Sequence, residues 1–282
     1  MRILSTFLGL MAAVTAVPAI AQAAEHLGKP EPKGTGFQPA ATELATQIHR
    51  LDWLILVIIT LIVVFVTGLM IWVMIRYNRR TNPNPSKFTH HTTLEIAWTV
   101  LPILILLFIG ANSLPVLFNQ QEIPEGEVHI KVTGYQWYWG YEYTDHEFEF
   151  ESFLLPKEDL AANGYNADEY LLATDTRVVV PVGKTIVMDV TGADVIHSWT
   201  IPSFGVKQDA VPGRIAQLWF KAEREGVYFG QCSELCGKDH AYMPITVEVV
   251  SEEKYNAWLK GAIEEYAGDM STIPAVKVAA AD

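Results

Sequence analysis

Both cysteines of this 282-residue chain fall in one short stretch, Gln231-Cys232-Ser233-Glu234-Leu235-Cys236-Gly237-Lys238-Asp239-His240-Ala241-Tyr242-Met243. Cys232 and Cys236 are four positions apart, His240 comes four further on and Met243 three beyond that. Thiolate, imidazole and thioether are the donors that soft and borderline transition metals prefer, copper foremost. A single-copper electron-transfer site needs one Cys, two His and a distant Met. This loop holds one thiolate more, and a second bridging sulfur lets a second copper share the site. The donor set therefore predicts a dinuclear copper centre. Two other readings compete. Paired cysteines in an oxidising compartment usually form a disulfide, but here it would close a very small loop, where a crosslink stabilises least. It would also leave His240 and Met243 at ligand spacing without a purpose. Zinc prefers Cys and His in tighter pairs, and Met is a poor ligand for it.

The pattern Cys-Ser-Glu-Leu-Cys-Gly-x-x-His-x-x-Met, preceded by Gly-Val-Tyr-Phe-Gly-Gln, resembles the binuclear copper loop of cytochrome c oxidase subunit II. The likeness continues through Asp194–Trp199, Val206–Arg214 and the aromatic run Tyr135–Tyr143, covering about Phe37 to Trp258. The resemblance implies a copper A site with His197 and His240 as terminal imidazoles, Cys232 and Cys236 as bridging thiolates, Met243 as a weak ligand and Glu234 lending its backbone carbonyl. A lone His beside Ile196 and Trp199 would otherwise read as a hydrogen-bonded core residue. Neighbours such as Asp194 and Gln231 are expected to orient the imidazoles. The Glu234 carboxylate, a hard donor, suits Mg²⁺ or Mn²⁺, and the resemblance implies such a site at the border with the catalytic haem–copper subunit, which must supply the other ligands. It further implies that Trp137 is the exposed electron-accepting residue over the copper site. Glu95, three residues before Trp98, would stand at the mouth of a proton path serving the catalytic subunit. Without the resemblance, Glu95 is an acid near a helix N-terminus, favoured there by the dipole. Glu142, Asp145, Glu147, Asp175 and Asp194 are expected to flank a docking face for cytochrome c, whose lysine ring they would attract.

Composition bounds what else the chain does. The first 118 residues hold 8 Lys+Arg against 5 Asp+Glu, whereas the rest hold 12 against 27, so a net charge of +3 is followed by −15. An acidic second half argues for a basic partner and against nucleic acid. With no Cys-x-x-Cys-His, covalent c-type haem is excluded, and the chain alone has no histidine set for haem or oxygen chemistry.

The elements that must position the site follow from patterning. Residues 1–23 read as an export signal, with Arg2, an apolar run Phe7–Val17 and small residues that set the mature start at Gln22 or Ala24. Residues 24–50 form an extended lead without evident chemistry. Leu51–Ile75 and Ile96–Phe118 are each apolar for about the 20 residues a bilayer needs. Arg76, Arg79, Arg80 and Lys87 lie between them, so the positive-inside rule puts that loop in the cytoplasm and both termini in the periplasm of a bacterial inner membrane. From 119 to 268 short β-like runs alternate with Gly, Pro and Asp: 128–137, 139–143, 178–182, 185–190, 195–201, 215–222, 226–230 and 244–250. A helix is expected around Lys157–Asn163, and Glu252–Tyr266 reads as a closing amphipathic helix capped by Ser251. The fold class is a transmembrane α-helical hairpin followed by an all-β, cupredoxin-like Greek-key sandwich, with a loose tail over 269–282. The competing functions are a quinol oxidase subunit, which lacks copper ligands, a soluble nitrous oxide reductase, which needs no membrane helices, and an anchored carrier of a single Cu(I).

Overall fold

The computed structural model describes residues 25–267. The expected export signal and its cleavage point, and the tail after Gly268, lie outside the described residues. Two long helices come first, α1 (Glu43–Arg76) and α2 (Thr92–Gln121), both apolar enough to cross a membrane. At 1.5 Å per residue α1 is about 50 Å long, well beyond a hydrocarbon core of about 30 Å. Its extra turns precede the apolar run. Thr42 caps them, accepting from Ala45 N at 3.0 Å while donating to Phe204 O at 2.7 Å. That hydroxyl joins helix to sandwich. Asn119 Nδ2 donates to Gln47 Oε1 across the helix pair, and Trp219 Nε1 donates to Asn119 O, so the outer end of α2 is fastened too.

The rest is a sandwich of short strands. Strands β1 (His26–Gly28), β2 (Val128–Tyr135), β3 (Tyr138–Tyr143), β4 (Phe148–Ser152), β5 (Val178–Pro181) and β6 (Ile186–Gly192) are followed by β7 (His197–Ile201), β8 (Val206–Ala210), β9 (Ala216–Phe220), β10 (Gly226–Gln231) and β11 (Pro244–Val250). They form a sheet ordered β1-β10-β11-β5, a second ordered β4-β3-β2-β6-β9, and a β7-β8 ribbon. Alternation makes the core: β2 and β4 bury every second residue, the period-2 signature of a half-buried strand. Trp139, Tyr141, Tyr143, Trp199, Phe204 and Phe220 fill the centre. Helix α3 (Glu252–Tyr266) closes one side, with Ser251 Oγ accepting from Lys254 N.

The structure corrects the expected element set in three places. β4 and β8 are strands where none was expected, although Phe148-Glu149-Phe150-Glu151-Ser152 carries a clear alternation. The helix expected over Lys157–Asn163 is a single 3-10 turn, Lys157–Asp159. The lead before α1 is not featureless: β1 runs parallel to β10 and covers what would be an open sheet edge.

That lead is fastened by a buried carboxylate. Glu169 is fully buried and accepts from Asn166 N and Nδ2, from Lys29 Nζ at 3.0 Å, and pairs with His26 Nδ1 at 2.7 Å. Burial alone would raise its pKa, but the bonds from Asn166, Lys29 and His26 outweigh it and hold the carboxyl below the ordinary 4.5. A depressed carboxyl stabilises the fold above its unfolded pKa and ceases to do so as pH falls through the folded value. Glu169→Gln is expected to cost about 1–3 kcal/mol at pH 7, since an amide cannot accept all the bonds from Asn166, Lys29 and His26 that the buried carboxylate takes. Urea unfolding should show that gap narrowing as pH drops below about 4.5; a gap that stays constant with pH would contradict this.

Candidate metal centre

Three chain segments meet at one end of the sandwich. His197 is the first residue of β7, Cys232 follows directly on β10, and Met243 immediately precedes β11. Ser233 N donates to Ser198 O at 2.9 Å, and Cys232 N to Met243 O at 3.4 Å, so the loop is sewn to both neighbouring strands by its own backbone. Trp139 Nε1 adds a bond to Met243 O at 3.3 Å. Gly134 on β2 leaves the room His197 occupies, since a Cβ there would lie 2.9 Å from the imidazole.

The donor atoms converge. Cys232 Sγ lies 3.9 Å from His197 Nδ1, 3.9 Å from Cys236 Sγ and 3.3 Å from Glu234 O. Cys236 Sγ lies 3.5 Å from His240 Nδ1 and 3.5 Å from Met243 Sδ. Both thiols are free. With metal–sulfur bonds of about 2.3 Å and metal–nitrogen bonds of about 2.0 Å, two donors on one tetrahedral ion sit roughly 3.5–3.8 Å apart, which is the spacing found. The cluster is also dry: Cys232, Cys236, His197 and Met243 are buried, and His240 is half-buried. The residues present fit a thiolate-bridged site for a soft or borderline metal.

Electrostatics support the same use. Burial resists ionisation of both thiols, yet at Cys232 the His197 imidazole and backbone groups of Glu234 and Ser198 prevail and lower its pKa. Cys236, desolvated and facing that first thiolate, is pushed up. A bound cation removes the penalty for holding both as thiolates. Asp194 turns His197: its Oδ1 is 2.8 Å from Nε2, leaving Nδ1 aimed at Cys232. Partial burial raises the pKa of this carboxylate, but the bonds from His197, Val195 N and Gln136 N outweigh it and hold it below the usual range.

Other predicted residues are placed unequally. Glu234 points its side chain outward, exposed, while its carbonyl faces Cys232. Gln231 does not touch an imidazole; its Nε2 donates to Leu171 O. Trp137, expected exposed, is half-buried, packed against Gly237 with Lys238 Nζ 5.3 Å above its ring. The five acids separate. Asp194 is at the metal site, and Asp175, which accepts from Phe153 N, lies beside the Tyr135–Tyr138–Phe153 stack next to Trp137. Glu142, Asp145 and Glu147 lie apart from these two. They occupy the opposite end of β3, about 15 Å or more away by strand rise, where Glu142 pairs with Lys131 and Asp145 with His129. Sequence reasoning missed Glu151, which lies beside Tyr138, where burial first and this carboxylate second raise the phenol's pKa. Its place opposite Gly140 on the unrecognised β4 was the missing signal. Glu95 sits in the first turn of α2 and accepts from His91 N at 3.1 Å.

Fold and site together define a membrane-anchored β-sandwich protein with a buried thiolate–imidazole–thioether metal site. Residues 128–250 match the family description "Cytochrome C oxidase subunit II, periplasmic domain", and residues 30–116 its transmembrane domain. Cytochrome c oxidase subunit 2 of Cereibacter sphaeroides is 62% identical over 268 residues, 90% of this chain and 88% of that protein. The probable cytochrome c oxidase subunit 2 of Rickettsia bellii is 45% identical over 82% of this chain and 85% of that one. The crystal structure of the periplasmic domain of subunit II of cytochrome oxidase from Bradyrhizobium japonicum is 46% identical, spans 51% of this chain and 99% of that one, and superposes with a TM-score of 0.47. The chain belongs to the cytochrome c oxidase subunit II family and is a membrane subunit of that oxidase.

Proposed function

We propose that this chain accepts electrons from cytochrome c at a two-copper centre and hands them to the catalytic haem–copper subunit, in support of oxygen reduction and proton pumping. The convergence of two thiols, two Nδ1 atoms and a thioether within 3.9 Å of their neighbours carries this reading. Cys232 and Cys236 would bridge the two ions, His197 and His240 would each end the cluster, and Met243 Sδ and Glu234 O would be the weak donors. When bound, such a pair supplies a one-electron carrier that shares its charge between two metals. The chain's own contribution is rigidity: β7, β10 and β11 fix the segments that carry the donors. Copper counting and low-temperature electron paramagnetic resonance on the full chain test the reading. Two coppers with a mixed-valence signal support it. One exchangeable copper, or a native Cys232–Cys236 disulfide, would refute it.

The remaining roles follow from position. Trp137 covers the loop and would be the electron gateway, with Glu142, Asp145, Glu147, Asp175 and Asp194, joined by Glu151 beside Tyr138, as the acids that attract a basic donor. The exposed Glu234 carboxylate would join partner residues around Mg²⁺ or Mn²⁺. The Arg76–Lys87 loop would face the cytoplasm, and the sandwich the periplasm. Glu95 would then stand at a proton inlet. Glu95→Ala is expected to slow proton uptake roughly a hundredfold, the low end of what losing a proton-transferring group costs, with copper spectra unchanged. Equal turnover by the variant oxidase would sink the assignment.

A further inference from the structure

The residue before the gateway tryptophan is hydrogen-bonded to the metal loop and to Asp194, whereas the indole N–H is bonded to neither. Gln136 is exposed, yet both of its nitrogen donors are spent inward. Its Nε2 donates to Cys236 O at 2.8 Å, and its backbone N–H donates to Asp194 Oδ2 at 2.8 Å. Asp194 holds His197 Nε2 at 2.8 Å with its other oxygen. One residue thus reaches both halves of the donor set, the β7 imidazole through Asp194 and the Cys236 thiol through its own carbonyl. Meanwhile the neighbouring indole leans on Gly237, where a Cβ would lie 3.0 Å from Trp137 Cζ2 and the backbone has φ +133°. Its buried Nε1 has no hydrogen-bond partner. No hydrogen bond from the ring fixes its position, so fixation must come from the residues beside it.

We propose that Gln136 is the positioning residue that holds the Trp137 ring in register with the metal loop, its side-chain amide fixing the indole's separation from Cys236. The inference rests on reading Trp137 as the electron gateway. A solvent-facing glutamine in a turn would otherwise serve as a docking contact, and the two roles have different consequences. A docking contact changes how much donor is needed. A positioning residue changes how fast the electron passes once the donor is bound, because small misplacement of reacting groups is costly.

Gln136→Ala removes the amide and keeps the backbone bond to Asp194. In the full chain labelled with ¹⁵N in its eight tryptophans, thiols reduced and metal absent, the indole signal assigned by Trp137→Phe should shift or broaden. In the copper-loaded oxidase, stopped-flow reduction by cytochrome c should show the limiting rate reduced roughly tenfold at an unchanged half-saturating concentration. An indole signal coincident with wild type, or a raised half-saturation at full limiting rate, overturns the proposal. Trp137→Phe separates the two readings: if it transfers electrons at the wild-type rate, the gateway assignment fails, while the Gln136→Ala indole shift still reports whether the amide positions the ring.

Discussion

Cys236→Ser is expected to reduce the bound copper from two ions per chain to one or none and to abolish the mixed-valence resonance. The hydroxyl that replaces the sulfur is a hard donor, a poor match for copper held by soft thiolates. Cys236 Sγ is the atom on which His240 Nδ1, Met243 Sδ and Cys232 Sγ all converge, at 3.5, 3.5 and 3.9 Å. Removing it therefore orphans three donors at once. The metal-free fold should survive, because serine is close to isosteric and the cost of burying its hydroxyl is about 1–3 kcal/mol. Metal content by mass spectrometry, set beside urea unfolding of the metal-free chain, separates the two effects. A variant that kept two coppers would leave the bridging role without support.

The second large effect lies two residues upstream of Cys232. At Gly230, on β10, a Cβ would overlap the Thr200 carbonyl oxygen of β7 and lie 2.9 Å from Ile201 Cδ1. The obstacle is backbone, which cannot swing aside as a flexible side chain does. Gly230→Ala is expected to destabilise the chain by about 3 kcal/mol or more, at the upper end of overpacking costs. By prising β7 from β10 it should also widen the gap between His197 and Cys232 and lower copper affinity. Gly261 is the contrast: it sits in α3 with open space around it, and Gly261→Ala should stabilise by up to about 1 kcal/mol. Paired chemical denaturation of the two variants checks both signs.

The donor set could be read from the chain because its chemistry is local. Four residues of three types within a dozen positions specify a soft-metal loop before any fold is known. The membrane helices were legible for a similar reason, since bilayer thickness demands long unbroken apolar runs. Their true starts were less so: α1 gains a polar turn from the Thr42 cap, whose worth comes from Phe204, some 160 residues away. His197 needed the resemblance, because nothing in its own neighbourhood distinguishes a ligand from a packed core histidine. The spread of the acids was not legible: Glu142, Asp145 and Glu147 lie close to Trp137 in sequence, but an extended strand carries its ends apart, and β3 places them at its far end. Glu169 went unnoticed because two of its partners, His26 and Lys29, lie 143 and 140 residues away in sequence.

The way α1 begins has a mechanical consequence. α1 runs straight out of the apolar zone, and its first turn is capped by a threonine hooked to Phe204. The pair of helices is a stalk that sets the height of the cysteine loop above the lipid. A thicker or thinner bilayer that tilts the stalk must swing the whole head with it, so membrane thickness becomes a lever on where this centre sits against its oxidase partner.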